Sequence, residues 1–301
     1  MKKTHAIMPQ IEELLAMRFF AGNIQFFNQQ KVNSHLIGDR VSLARGRGMD
    51  FDEVRRYQPG DDIRLIHWKL SAKLGKTYTK IYREERERAI YLVVDQSSSM
   101  QFATRVAFKN VLAAKAAAIL GFAALNHQEQ IGGCVFSDEG SAFVKPRRAT
   151  KNLLNLFDYL AHPNKLSSTG GSLATALQKI YSLLTSGSIV IIISDFYQLN
   201  PEVETYLRLI GSKCEVINIV AYDPLEKNLP AGGRFYFTAD GKLQLDIAAT
   251  ANNRENYAEP FKQRIEQLAQ ISRSSNAQLI ELATSDDIAA TLNYGIKRYG
   301  Y

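Results

Sequence analysis

The chain has little of what small scaffolds and metal ribbons are built from. Among its 301 residues only two are cysteine, Cys134 and Cys214. They lie too far apart for a CxxC redox pair or a thiolate zinc cluster. Both sit in apolar runs, Gly132-Gly-Cys-Val-Phe136 and Cys214-Glu-Val-Ile217, so each is expected to be a buried, reduced thiol. The histidines His5, His35, His67, His127 and His162 show no HxxxH or HExxH spacing, which removes the ligands of a zinc hydrolase. Long apolar runs are missing too. Ala116 to Leu125 is roughly half of the ~20 residues that span a bilayer. Met1-Lys-Lys at the start carries positive charge but no hydrophobic region behind it. A cytoplasmic protein without a transmembrane segment is therefore expected.

Charge of one sign is not strongly in excess. Thirty-seven Lys and Arg against thirty Asp and Glu leave a net charge of +7, and no aromatic-basic module accompanies it, so nucleic acid is not an expected partner. With 46% hydrophobic and 22% charged residues, the chain is of ordinary globular make-up. Disorder and collagen-like repeats are excluded.

What is present is an alternation of buried strands and amphipathic helices. Ile90-Tyr-Leu-Val-Val94 ends at Asp95, and Ser188-Ile-Val-Ile-Ile-Ile-Ser194 ends at Asp195; continuous apolar runs of this kind predict strands covered on both faces of a parallel sheet. Helical spacing predicts helices over 102–126, 151–160, 173–184, 201–211 and 256–274. Further strands are expected at 131–136, 142–144, 215–221 and 278–282. The class is α/β, a doubly wound, mostly parallel sheet with flanking helices. Residues 1–88 are expected to form an N-terminal helix and an irregular segment with short β pieces. Residues 89–292 are expected to form the α/β domain, with a hairpin inserted near 233–247 around Asp240-Gly241, and 293–301 a C-terminal tail.

In open α/β sheets, ligands bind outside the carboxyl ends of the strands. Asp95 and Asp195 are both expected there. A buried carboxylate needs a partner, and Asp95-Gln-Ser97-Ser-Ser99 would let one carboxylate and two hydroxyls converge on a small hard cation. The plain alternative is a helix-capping serine beside a solvated aspartate. The Asp-x-Ser-x-Ser spacing resembles the metal-ion-dependent adhesion site of the von Willebrand factor A fold. The resemblance implies Mg²⁺ or Mn²⁺ held by Asp95, Ser97, Ser99 and Asp195, with an open position filled by a partner's Asp or Glu. That pattern also has a threonine, and its place here falls on Gly171, so Thr169 or Ser172 would have to substitute.

Two enzymatic patterns are incomplete. A haloacid-dehalogenase-like phosphotransferase needs a second carboxylate where Ser97 stands. Gly75-Lys-Thr77 lacks both the leading glycine and the buried strand of a P-loop.

The upstream segment carries a denser pattern: Gly46-Arg-Gly-Met-Asp-Phe51, Arg56-Tyr-Gln-Pro-Gly-Asp-Asp62-Ile-Arg64, Ile66-His-Trp68 and Ser71-Ala-Lys73, with Asp223-Pro-Leu-Glu-Lys-Asn-Leu-Pro230 later. These blocks resemble the bacterial domain-of-unknown-function family fifty-eight, in which such a segment precedes an A-type domain. The resemblance implies a non-enzymatic partner of a MoxR-type AAA+ ATPase and of other A-domain proteins, acting in chaperone-like assembly or maturation. A metal-dependent hydrolase or phosphotransferase using the Asp95/Asp195 cleft is the alternative. Within the block, Arg56, Asp61, Asp62, Arg64 and Trp68 could close on one another as an internal clamp. Alternatively, Arg56, Asp62, Arg64 and Trp68 could face outward as docking residues.

Overall fold

A computed structural model describes residues 7–24, 49–84, 88–104, 106–167, 171–185, 187–239 and 242–298. The chain divides into two compact units, one formed by the N-terminal residues with everything from Arg88 onward, the other by the segment between them. The N-terminal helix α1 (Ile11–Ala16), followed by a 3₁₀ stretch over Met17–Asn23, therefore belongs with the large unit and not with the upstream segment. The reason is apolar: Leu14, Ala21 and Ile24 are buried in the same core as the sheet.

The smaller unit is built on an antiparallel pair, β1 (Met49–Arg56) and β2 (Tyr78–Glu84), joined through helix α2 (Trp68–Leu74). Gly75 ends α2 in the left-handed conformation at φ 67°, a helix stop that glycine adopts without strain. The basic residues Lys69 and Lys73 thus lie on a helix.

The large unit runs β3 (Ala89–Asp95), α3 (Lys109–Asn126), β4 (Gln130–Ser137), β5 (Gly140–Arg147), α4 (Thr150–Ala161), α5 (Leu173–Leu183), β6 (Ile189–Ser194), α6 (Pro201–Gly211), β7 (Glu215–Tyr222), α7 (Pro224–Lys227), β8 (Arg234–Ala239), β9 (Lys242–Ala248), α8 (Ala251–Ser274), β10 (Gln278–Ala283) and α9 (Ile288–Arg298). Six strands form one sheet in the order β10-β7-β6-β3-β4-β5, parallel except for the edge strand β5. The doubly wound, mostly parallel sheet is the one implied by the von Willebrand factor A resemblance. Among the described residues β8 and β9 pair only with each other, as the inserted ribbon; its Asp240-Gly241 turn lies outside the described residues.

Alternation along the strands separates two apolar layers. Ile90, Leu92 and Val94 face α3, α4 and α9, while Tyr91 and Val93 face α5, α6 and α8. Alanine dominates α3, so the helix is buried on nearly every side, and a Cβ at Gly121 would stand 2.3 Å from a Leu153 methyl of α4. The tail expected from residue 293 is the second half of α9, anchored by buried Leu292 and Ile296.

The connection after β3 goes to one face of the sheet and that after β6 to the other. The topological switch point, where the two connections diverge and leave a crevice, therefore lies between the carboxyl ends of β3 and β6.

Candidate functional site at the carboxyl edge of the sheet

Asp95 and Asp195 occupy that switch point, Asp95 as the last residue of β3 and Asp195 just after the neighbouring β6, the two strands paired Val94 to Ile193. Asp95 is 4% exposed. Its Oδ1 accepts from the Ser97 amide at 2.8 Å and its Oδ2 from the Ser194 hydroxyl at 2.6 Å. Burial, and after it the charge of Asp195, pushes the Asp95 carboxyl up to about 6, against the hydrogen bonds from Ser194 and Ser97. The Ser97 and Ser99 hydroxyls lie 3.1 Å apart and hydrogen-bond to each other. The Ser98 amide donates to Asp138 at 2.7 Å, tying the β3 loop to the β4–β5 turn.

The β6 end is tighter still. Phe196 adopts a left-handed backbone, φ 52°, which costs of order 1–3 kcal/mol in a non-glycine residue. The turn buries the Phe196 ring, leaves Tyr197 exposed, and directs the Tyr197 amide to Asp195 Oδ1 at 2.9 Å. Asp195 Oδ2 accepts from Lys109 Nζ at 2.8 Å. Lys109 opens α3, is 1% exposed, and also donates to Glu226 Oε1 at 2.7 Å.

Glu226 belongs to a second clasp. Asp223 and Glu226 form the capping box of the short helix α7, with Glu226 Oε2 accepting from the Asp223 amide. The fully buried Asp223 carboxylate accepts from the Leu225 and Thr104 amides and from the hydroxyls of Thr104 and Thr284. Burial acts to raise its pKa, but the donors from Leu225, Thr104 and Thr284 outweigh it and hold it below the ordinary value. The clasp explains why α3 starts at Lys109 and not near residue 102: the Thr104 amide and hydroxyl are both bound to Asp223, the cap of α7.

The third loop differs from the adhesion pattern for a steric reason. A Cβ on Gly171 would stand 2.1 Å from the Ser137 carbonyl oxygen and 2.2 Å from that of Gly140, so no threonine fits that backbone. Ser172 instead caps α5, its hydroxyl accepting from the Thr175 amide while Thr175 Oγ1 accepts from the Ser172 amide. Thr169 lies outside the described residues. The set does not fit the divalent ion that Asp-x-Ser-x-Ser implies. One carboxylate is taken by an ammonium, the threonine position is closed by two carbonyls, and both oxygens of Asp95 already accept. Among the described residues, no group of three or more Asp, Glu, His or Cys side chains is arranged to hold a metal.

In the smaller unit, the internal clamp keeps only Asp61 of the residues expected for it. Asp61 pairs with Arg55 at 2.6 Å and also accepts from the Gln58 amide and the Thr79 hydroxyl. Arg56, Asp62, Arg64 and Trp68 are all exposed, Trp68 at 66%. Asp62 accepts from the Arg64 amide as the cap of a single 3₁₀ turn.

The family model described as protein of unknown function DUF58 matches residues 53–267 of the chain. The chain belongs to the DUF58 family. Uncharacterised proteins of Mycobacterium bovis and Mycobacterium tuberculosis are 28% identical to it over 267 residues, 88% of this chain and 84% of each relative. Among solved structures, BatB from Bacteroides thetaiotaomicron is 13% identical, covering 70% of this chain and 98% of that one at a TM-score of 0.45. A von Willebrand factor type A protein from Catenulispora acidiphila is 11% identical, covering 74% and 44% at a TM-score of 0.40.

In this DUF58 chain, the residues missed by sequence reasoning are Lys109, Ser194, Glu226 and Thr104. Ser194 directly precedes Asp195, so its placement followed from the strand already recognised. The Asp223-Pro-x-Glu block was legible as a motif, but its contact with Lys109 was not. Cys134 is buried as expected and Cys214 only partly so; burial pushes the Cys134 thiol up to about 12 and that of Cys214 up to about 11. Among the described residues, no helix is long and apolar enough to cross a membrane.

Proposed function

We propose that this DUF58 protein is a non-enzymatic interaction module that docks an acidic partner surface through its smaller unit. The observation that carries the reading is the exposure of Trp68, the only tryptophan, in the same segment as Ile63 at 62% exposure and the exposed cations Arg56, Arg64, Lys69, Lys73 and Lys76. An exposed tryptophan in a segment rich in exposed arginine and lysine has the composition of a binding hot spot with a basic rim. Asp195 and Glu226 are ion-paired to Lys109 and Asp223 accepts four hydrogen bonds, which supports docking over catalysis, because a general acid or base needs a lone pair or proton aimed at a substrate. The partner class implied by the family is a MoxR-type AAA+ ATPase.

Binding of the purified chain to that ATPase by biolayer interferometry tests this. Trp68→Ala is expected to weaken binding at least tenfold while changing stability by less than about 0.5 kcal/mol, the usual range for a surface site. Unchanged affinity in Trp68→Ala refutes the surface. Turnover of phosphate esters that vanishes in Asp95→Ala would instead establish the hydrolase or phosphotransferase alternative.

A further inference from the structure

The carboxyl edge of the sheet brings a fully buried lysine to the place where an A-type domain would put its ion. We propose that the Lys109 ammonium is the resident cation of this edge, standing in for a divalent metal and making the large unit metal-independent. This inference is independent of the docking surface on the smaller unit.

Three observations carry it. Lys109 is buried to 1% exposure at the first position of α3, where the helix dipole disfavours a positive charge and where an unpaired ammonium is not tolerated. It is held there by two carboxylates at 2.8 and 2.7 Å, Asp195 and Glu226. Each of these is fixed on its other oxygen by a backbone amide, of Tyr197 and of Asp223 respectively. The geometry is that of a built cation site whose occupant is supplied by the chain.

The remaining ligands are already engaged with one another and with the backbone. Mg²⁺ requires near-octahedral oxygen coordination. With Asp195 paired to Lys109, the described ligands left at the edge are Asp95, both of whose oxygens accept hydrogen bonds, the mutually bonded hydroxyls of Ser97 and Ser99, and Asp138, which accepts from the Ser98 amide. Gly171 cannot be replaced by a hydroxyl-bearing residue without moving two carbonyls. A divalent ion entering here would meet the ammonium's repulsion, or displace it and leave a buried charge without partners.

The test compares wild type, Lys109→Met, Glu226→Gln and Asp95→Asn in EDTA and in millimolar Mn²⁺, reading the melting temperature and the electron paramagnetic resonance signal of free Mn²⁺. Wild type is expected to melt at the same temperature in both and to leave the Mn²⁺ signal undiminished. Lys109→Met, which frees two carboxylates, is expected to melt lower in EDTA and to recover part of the loss with Mn²⁺. Glu226→Gln keeps the Lys109–Asp195 pair and is expected to stay unresponsive. Saturable Mn²⁺ binding by wild type that raises its melting temperature and disappears in Asp95→Asn overturns the proposal. That wild-type comparison decides the matter even where Lys109→Met does not fold.

Discussion

Asp95→Asn should stabilise the protein at neutral pH, and by an amount that depends on pH in a defined direction. The folded-state pKa of Asp95 is raised from 3.8 to about 6, chiefly by burial. A carboxyl that binds its proton more tightly folded than unfolded lowers stability as pH rises through that interval. At 1.36 kcal/mol per pH unit, the ionised group costs about 3 kcal/mol once the pH exceeds 6, and almost nothing below 4. Asparagine removes that charge while keeping an oxygen for the Ser97 amide. Its new N–H group faces the Ser194 hydroxyl, which must turn from donor to acceptor at a cost of about 1 kcal/mol. The variant should therefore gain about 1–3 kcal/mol over wild type at pH 7.5, and the gap should close towards pH 4. Urea titrations of both proteins at several pH values measure this, because the other carboxylates are common to both. A variant that is less stable than wild type at pH 7.5, with a deficit independent of pH, would refute the reasoning. It would mean that the hydrogen bonds to the ionised carboxylate outweigh its burial.

Two further outcomes follow from the same edge. Gly171→Thr forces a Cβ into the Ser137 and Gly140 carbonyls and should destabilise by about 1–3 kcal/mol or more, without creating any metal response in a thermal scan. A stabilised variant with a Mg²⁺-dependent melt would show that the loop yields and that the missing hydroxyl is the limiting ligand. Asp223→Ala removes a carboxylate that accepts four hydrogen bonds; leaving the Thr104 and Thr284 donors unpaired should cost about 3 kcal/mol or more. Amide exchange should speed up over residues 101–108 before it does in the sheet, and equal protection of that loop would contradict its tethering by α7.

The strands, their order along the chain and the aspartates that follow them were readable from local pattern. An apolar run such as Ile90–Val94 or Ile189–Ile193 can be satisfied only between two covered faces, so it announces a central parallel strand whatever its neighbours are. Helix α6 over 201–211 and the ribbon near 233–247 were equally local, set by a capping Asn200 with Pro201 and by alternation. The upstream block was legible as a family pattern, yet which of its charges face inward was not. Arg55 and not Arg56 meets Asp61, because alternation along β1 assigns neighbouring side chains to opposite faces.

Only the tertiary structure decided how the charges at the sheet edge are neutralised. Lys109 meets carboxylates 86 and 117 positions further along the chain, and no periodicity in any one segment encodes that meeting. Gly171 likewise looks permissive in sequence but is confined by two carbonyl oxygens of the β4–β5 turn. Apolar periodicity is a property of a single element, set by the partition of side chains between water and core. The partner of a buried charge is set by the crossing of distant elements, since only desolvation on both sides makes that pairing necessary.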